Sequence, residues 1–431
     1  MGVLDNKRRA VIVGGMRTPF AKAFNELMEL DTIALGVAAT SALLRKLDLS
    51  PKEIDAVVWA GVVLPPLSVN IGREIVLDLG LPTSVDGMTV TRACASGLQA
   101  VTSAAAAIER GDADVIIAGG SDSTSNAPIS FPSKLTRTLA PVALSGKATT
   151  QDVLGVLSQL MPLSEILPRQ PRVAERTTGE VMGESAERMA KRNEISREAQ
   201  DEFALRSHKR AARAIATGRF DDEVTKIETP QGFLHVDSLV RADTSLEKLG
   251  RLKPVFAKGG TITAGNASPL TDGAAAVLLM SEEKARALGY KPLATLRSWA
   301  YNAVDPADQL LIGPALAVPN ALAKAGLELS DIDVVDMHEA FAAQVLSVLK
   351  MLGSQGFAQE RLGRKRAVGE IDPEKLNLFG GSIAIGHPFA ATGARMVTTM
   401  ANELARSNKK TALLGICAAG GLGAAAVLER V

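Results

Sequence analysis

Apolar positions along the chain follow two rhythms. One is the short β-branched run opened by a polar turn, as in "LSPKEIDAVVWAGV" (49–62) and "LSDIDVVDMHEA" (329–340). Such runs read as buried strands of a mostly parallel sheet. The other is the Ala-rich helical stretch. Residues 93–108 hold no charged side chain, and 391–406 repeat the texture in the second half. A short strand at 88–91 precedes the first of these helices. The strands "DVIIAGG" (114–120) and "TALLGICAAGG" (411–421) follow the two helices.

These elements recur in the same order, and "GAAAVL" appears at both 273–278 and 423–428. Repetition over such a length predicts a duplicated α/β unit with helices covering the sheets. In the second half the glycine turn joins its "GAAAVL" strand directly. In the first half, Ser121 to Asp272 intervenes and carries most of the charge clusters, including a polar helix over 195–218. The expected organisation is a first core half at 1–123 and 255–290, an inserted subdomain at 124–254, and a second core half at 291–431.

A chain of 431 residues exceeds a single core and fits such a division. Aromatics are only 3% of residues, so the core must be built from Ala, Val, Leu and Gly. A net charge of +1 offers no electrostatic footprint for nucleic acid. Two cysteines make no disulfide framework and suggest a reducing compartment. The opening "MGVLDNKRRAVIVGG" is too short in its apolar part for a signal or a membrane span. The chain therefore reads as soluble and intracellular, in the cytoplasm.

The chemistry begins at Cys94, which stands where a helix opens. Backbone N–H groups at a helix start favour a thiolate, so the expectation is a lowered thiol pKa and a nucleophile. "GGSIAIGHPFAATG" (380–393) stands at the matching place in the other half and places His387 at the head of its helix. If the halves pack about a pseudo-twofold axis, thiol and imidazole meet as nucleophile and base. Cys417, in "GICAAGGLG", and His338, in "DMHEAF", both follow strands, where sites of such sheets collect. His208 and His235 fall in the charged insertion and read as surface residues. No pair has zinc-ligand spacing, so no metal is expected.

With these residues in view the chain resembles the thiolase family. "RACASGLQA" (92–100), "HEAF" (338–341), "GHPFAATG" (386–393) and "CAAGG" (417–421) are similar to its four active-site motifs, in order. "TITAGNASPLTDGAAAV" (261–277) resembles its segment beside the pantetheine arm, and the likeness starts at "RTPFAKAF" (17–24). The resemblance implies a duplicated βαβαβαββ core in five layers, αβαβα, with an inserted loop subdomain. It implies that Cys94 accepts the acyl group, His387 removes its proton, and Cys417 acts as second acid and base. His387 with a water on His338 would form one oxyanion hole, and the N–H groups of Cys94 and Ala419 the other. Met182 and Ser268 would touch pantetheine, and Arg241 the adenine end.

Coenzyme A would be a substrate, with no cofactor and no metal. A homodimer or homotetramer is implied. His338 and Ala419 are similar to the trifunctional-complex β-subunit subgroup, which favours degradative thiolysis of 3-ketoacyl-CoA and brings in a hydratase/dehydrogenase partner subunit. The alternatives are acetyl-CoA condensation, a decarboxylating ketosynthase, and a non-catalytic lipid or CoA carrier. Apolar residues at Val153, Leu154, Leu157, Leu160 and Met161 have helical spacing. They fit a lid over the substrate tunnel, or alternatively docking on a partner or a membrane surface. "RLGRKR" (361–366) reads as a solvated loop.

Overall fold

A computed structural model describes residues 8–144, 146, 149–162, 167 and 174–431. The first core half contains β1 (Ala10–Arg17), α1 (Thr32–Leu47), β2 (Ala56–Ala60), α2 (Ile71–Asp78), β3 (Asp86–Val90), α3 (Ser96–Arg110) and β4 (Val115–Ser123). After the insertion comes β5 (Thr271–Ser281). Inside the insertion lie α4 (Ser133–Leu144), α5 (Thr150–Gln159), α6 (Met182–Arg192) and α7 (Arg197–Ala216). The second half runs β6 (Ala294–Ala303), α8 (Pro314–Ala325), β7 (Val334–Met337), α9 (Ala342–Leu352), α10 (Ala390–Arg406), β8 (Thr411–Ala418) and β9 (Leu422–Arg430).

The strand order is β7–β8–β9–β6–β1–β5–β4–β2–β3. β2 pairs parallel with β3 and β4, and β7 pairs parallel with β8. β5 and β9 each run antiparallel to their neighbours. The order β2–β4–β5–β1 thus repeats as β7–β8–β9–β6. Only two residue pairs, Val11↔Thr295 and Ile12↔Ala294, join the half-sheets through β1 and β6.

Side-chain alternation along the strands creates the layers. On β5, Ala275, Val277 and Leu279 face a core shared with α3 and α10, whereas Ala274, Ala276, Leu278 and Met280 face α1 and α2. On β9, Ala424, Ala426 and Leu428 face that same shared core, and Ala425 and Val427 face α8 and α9. The result is helices, sheet, the α3/α10 pair, sheet, helices: the five layers of the duplicated α/β fold.

Small residues set the middle layer. A Cβ built on Gly97 would collide with the backbone of Ala390 and Ala394, and one on Gly393 with Leu98 and Gly97. The two helices therefore touch backbone to backbone, and α3 ends at Gly111 in the left-handed region (φ 85°). A buried ion pair, Arg17 with Asp237 (2.6 Å) and Glu223 (3.1 Å), fastens the segment after α7 onto β1.

Packing divides the chain more narrowly than the expected insertion. One compact unit is residues 127–173, and residues 174–254 belong with the core. Within the smaller unit, Thr149 and Asp152 form a capping box that starts α5. Val156 and Leu160 are buried there, while Leu154 and Met161 are exposed. The side chains of Val153 and Leu157, and residues 163–166 and 168–171, lie outside the described residues.

Candidate active site

β3 leads into a strained corner. Ala93 has φ 45°, a conformation costly for a residue with a Cβ. Ser96 holds the corner, accepting from Arg92 N–H (2.6 Å) and donating to the Ala93 carbonyl (2.6 Å). Cys94 thereby stands just ahead of the first turn of α3. The backbone N–H groups of Ala419 and of Cys94 itself point to its sulfur.

His387 follows Gly386 (φ 109°), and its own N–H is held by Thr271 Oγ1 at 3.0 Å. Its Nδ1 shares a hydrogen bond with Thr392 Oγ1 (2.7 Å), one turn into the helix that follows. His338, just beyond β7, shares one between Nδ1 and Ser382 Oγ (2.8 Å). The two rings lie 4.1 Å apart between centroids. Both Nε2 atoms are buried and without a hydrogen-bond partner. One ligand atom from each of Cys94, His338 and His387 lies within 4.8 Å of the others. These residues come from three distant segments.

Electrostatics corrects one expectation. The Cys94 thiol is pushed up to about 12, because burial outweighs its N–H donors and Asp122 adds a like charge. The helix start does not make a resting thiolate here. His387 is pushed down to about 3 by burial and by Arg395. His338 is lowered by burial, by His387 and by Arg395. At neutral pH the free site holds a neutral thiol and two neutral imidazoles. Cys417, fully buried on β8, is raised by burial and then by Cys94.

Strand register sharpens the equivalence between halves. Gly97 and Gly393 face one another, so Cys94 corresponds to Ala390 rather than to His387. His387 reaches the site from the loop before that helix. Asp122 opposes Gly273, and Cys417 opposes Gly423, the same glycine of the repeated "GAAAVL". Asp122 and Cys417 are therefore counterparts. Asp122 accepts N–H groups from Val62 (2.9 Å), Val63 (2.6 Å) and Ala390 (2.8 Å). Burial raises it to about 7 against these three donors.

The remaining candidates surround the "HEAF" loop. Ser268 N–H donates to the Ala340 carbonyl (2.9 Å), and Met182, the first residue of α6, packs in the apolar cluster that holds Phe341. Arg241 is exposed, and its N–H donates to His208 Nδ1 (3.2 Å). His208 is thus not a surface residue. It is buried on α7 and lowered to about 4 by burial and by Arg241, while His235 is exposed as expected. The polar face of a lone helix in sequence hid this burial, because its cover comes from a loop more than thirty positions away.

Sequence reasoning also missed the supports. Glu339 is buried and accepts from Ser207 Oγ (2.6 Å), Asn377 Nδ2 (2.6 Å) and Ile383 N–H (3.2 Å). Asp336 and Arg395 pair at 2.7 Å in the core. Thr392 was legible in hindsight, five residues after His387 on the helix that follows it; Ser382 had no such signal.

The N-terminal thiolase domain matches residues 10–283, and the C-terminal thiolase domain matches 290–430. A 3-ketoacyl-CoA thiolase of Pseudoalteromonas translucida (strain TAC 125) is 48% identical over 424 residues, covering 98% of this chain and 97% of that protein. The crystal structure of the Bacillus anthracis acetyl-CoA acetyltransferase superposes with a TM-score of 0.85 at 32% identity, covering 99% of each chain. Human mitochondrial 3-ketoacyl-CoA thiolase in complex with CoA gives 0.84 at 30% identity, covering 98% of each. The duplicated half-sheets, the crossed helices and the cysteine–histidine cluster at their heads are accordingly those of a thiolase, the family to which this chain belongs.

Proposed function

We propose that the protein cleaves 3-ketoacyl-CoA with coenzyme A, releasing acetyl-CoA and an acyl-CoA shortened by two carbons, as in fatty-acid β-oxidation. The observation that carries this reading is the Cys94 sulfur beside two buried, unpartnered imidazole nitrogens. The name borne by the 48%-identical relative supports the substrate class.

In this reading His387 takes the Cys94 proton as the sulfur attacks the keto carbon. The bond between the α and keto carbons breaks. Its electron pair leaves with acetyl-CoA as an enolate, and Cys417 supplies the proton that quenches it. Cys417 then accepts the proton of an incoming coenzyme A thiol, whose sulfur displaces the acyl group from Cys94. N–H groups of Cys94 and Ala419, and Nε2 of His387 with a water on His338, receive the developing oxyanions. Such donors contribute roughly 2.7–4 kcal/mol each in other enzymes. With the free thiol pushed up to about 12 by burial, proton transfer to His387 would accompany attack in this reading.

Met182 and Ser268 are assigned to pantetheine and Arg241 to the adenine end. The acyl group sits on protein, so no separate cofactor is used. A cytoplasmic homodimer or homotetramer is part of this reading. Among the described residues no helix is long and apolar enough to cross a membrane. Co-purification tests for a hydratase/dehydrogenase subunit.

Turnover of 3-ketooctanoyl-CoA and acetoacetyl-CoA by the purified protein tests the reading. Preference for the longer substrate is expected. A strong preference for acetoacetyl-CoA would move the assignment to acetyl-CoA acetyl transfer, the activity named for the Bacillus anthracis neighbour. Absence of any acyl adduct on Cys94 by peptide mass spectrometry would leave only a carrier.

A further inference from the structure

The cysteine–histidine cluster has the donor set of a metal site. A sulfur and one nitrogen from each imidazole lie within 4.8 Å of one another. Each Nδ1 is already engaged, by Ser382 or Thr392, so each ring offers Nε2. His338 is fully buried and His387 is 5% exposed, and neither Nε2 has a partner. Zinc bonds of about 2.0–2.1 Å to nitrogen and 2.3 Å to sulfur put tetrahedral ligands roughly 3.3–3.6 Å apart. Donors up to 4.8 Å apart would need a closure of up to about 1.2–1.5 Å to meet on one ion.

We propose that Cys94 Sγ, His338 Nε2 and His387 Nε2 form a three-point site for a thiophilic divalent cation, zinc above all, whose binding switches the reaction centre off. One thiolate and two imidazoles suit soft or borderline ions and disfavour magnesium and calcium. The ion displaces the thiol proton, which leaves to solvent as the sulfur–metal bond forms. It then holds the sulfur lone pair needed for attack and both nitrogens needed for proton transfer and oxyanion binding. Ser382 and Thr392 act as the outer partners that fix ring orientation at metal sites. Arg395, whose charge lowers both imidazoles, is paired with Asp336 at 2.7 Å. Cys417 stands outside the group, leaving the fourth position to water. The switching half of the proposal rests on the thiolase reading; the binding half does not.

Cadmium is the spectroscopic probe. Titration of the intact enzyme with Cd(II) should give the ultraviolet sulfur-to-cadmium band at one equivalent, with one proton released. Cys94→Ser should lose the band and Cys417→Ser should keep it. Ser382→Ala or Thr392→Ala should weaken binding about 10–100-fold. In unmodified enzyme, Zn(II) should protect Cys94 from iodoacetamide and stop turnover, with EDTA restoring both alkylation and turnover. A band that survives Cys94→Ser, a band lost in Cys417→Ser, or no protection of Cys94 overturns the proposal. Because the protection assay needs no variant, a misfolded mutant cannot mask the answer. Thiolysis without metal binding would sink this inference alone, and metal binding without thiolysis would sink the function alone.

Discussion

The two halves of the molecule put different chemistry at one symmetric position. In the first, Asp122 lies opposite the glycine of "GAAAVL" and fastens the head of α10 through Ala390 N–H. In the second, Cys417 lies opposite the matching glycine, beside the head of α3 where Cys94 stands. A carboxylate with three N–H donors is a clamp. The thiol has only its own backbone N–H for a donor, and in the proposed reaction it is the proton carrier. Duplication supplied two equivalent sockets, and the side chain in each decides whether the socket holds structure or performs chemistry.

The largest break in that comparison should come from Cys417→Ser. Loss of a positioned acid/base costs roughly 10²–10⁴-fold, so kcat for thiolysis should fall by that much while the Tm stays near the parent's. The inserted helix α7, which has no counterpart in the second half, gives the next effect. His208 is neutral in folded and unfolded chains above its ordinary pKa of 6.5. Below that the unfolded chain takes a proton that the folded site refuses until about pH 4. Stability should therefore drop through this window by up to about 3 kcal/mol. His208→Gln, which keeps an acceptor for Arg241 N–H, should flatten that part of the Tm–pH curve. An unchanged slope would place the titration elsewhere.

Smaller effects sharpen the symmetry itself. Gly97→Ala and Gly393→Ala should each destabilise by about 1–3 kcal/mol through overpacking. Urea midpoints that fell for only one of them would deny the crossing its equivalence. Asp122→Asn presents an amide donor to an N–H and should cost about 1–3 kcal/mol, read as a lower midpoint with acylation of Cys94 largely retained. Finally, the rate of Cys94 alkylation by iodoacetamide should still be rising at pH 10, since the thiol rests near 12. A plateau near neutral pH would restore the thiolate that the helix start alone suggests.

Much of this was legible in the chain. Repeated strands, Ala-rich helices and "GAAAVL" announce the duplicated core because buried parallel strands and closely packed helices leave compositional marks. Cys94, His338, His387 and Cys417 could be singled out because reactive types stood at element ends. What could not be read is whatever depends on distance through space. The level of the Cys94 thiol is set by its enclosure, which competes with the helix start and wins. Burial of His208 depends on the loop at Arg241, and the pairing of Asp122 with Cys417 on strand register. Residues 174–254 looked like a separate piece because they are charged, yet Glu339, Ser207 and Arg17 show that their polar groups are consumed inside the core.

The contact between Gly97 and Gly393 has a consequence for how such a catalyst can diversify. Main chain rests on main chain there, so the approach of the two helix heads is set by atoms that no substitution can trim. Under the proposed function, fitting a longer or shorter acyl tail would then fall to residues away from this crossing.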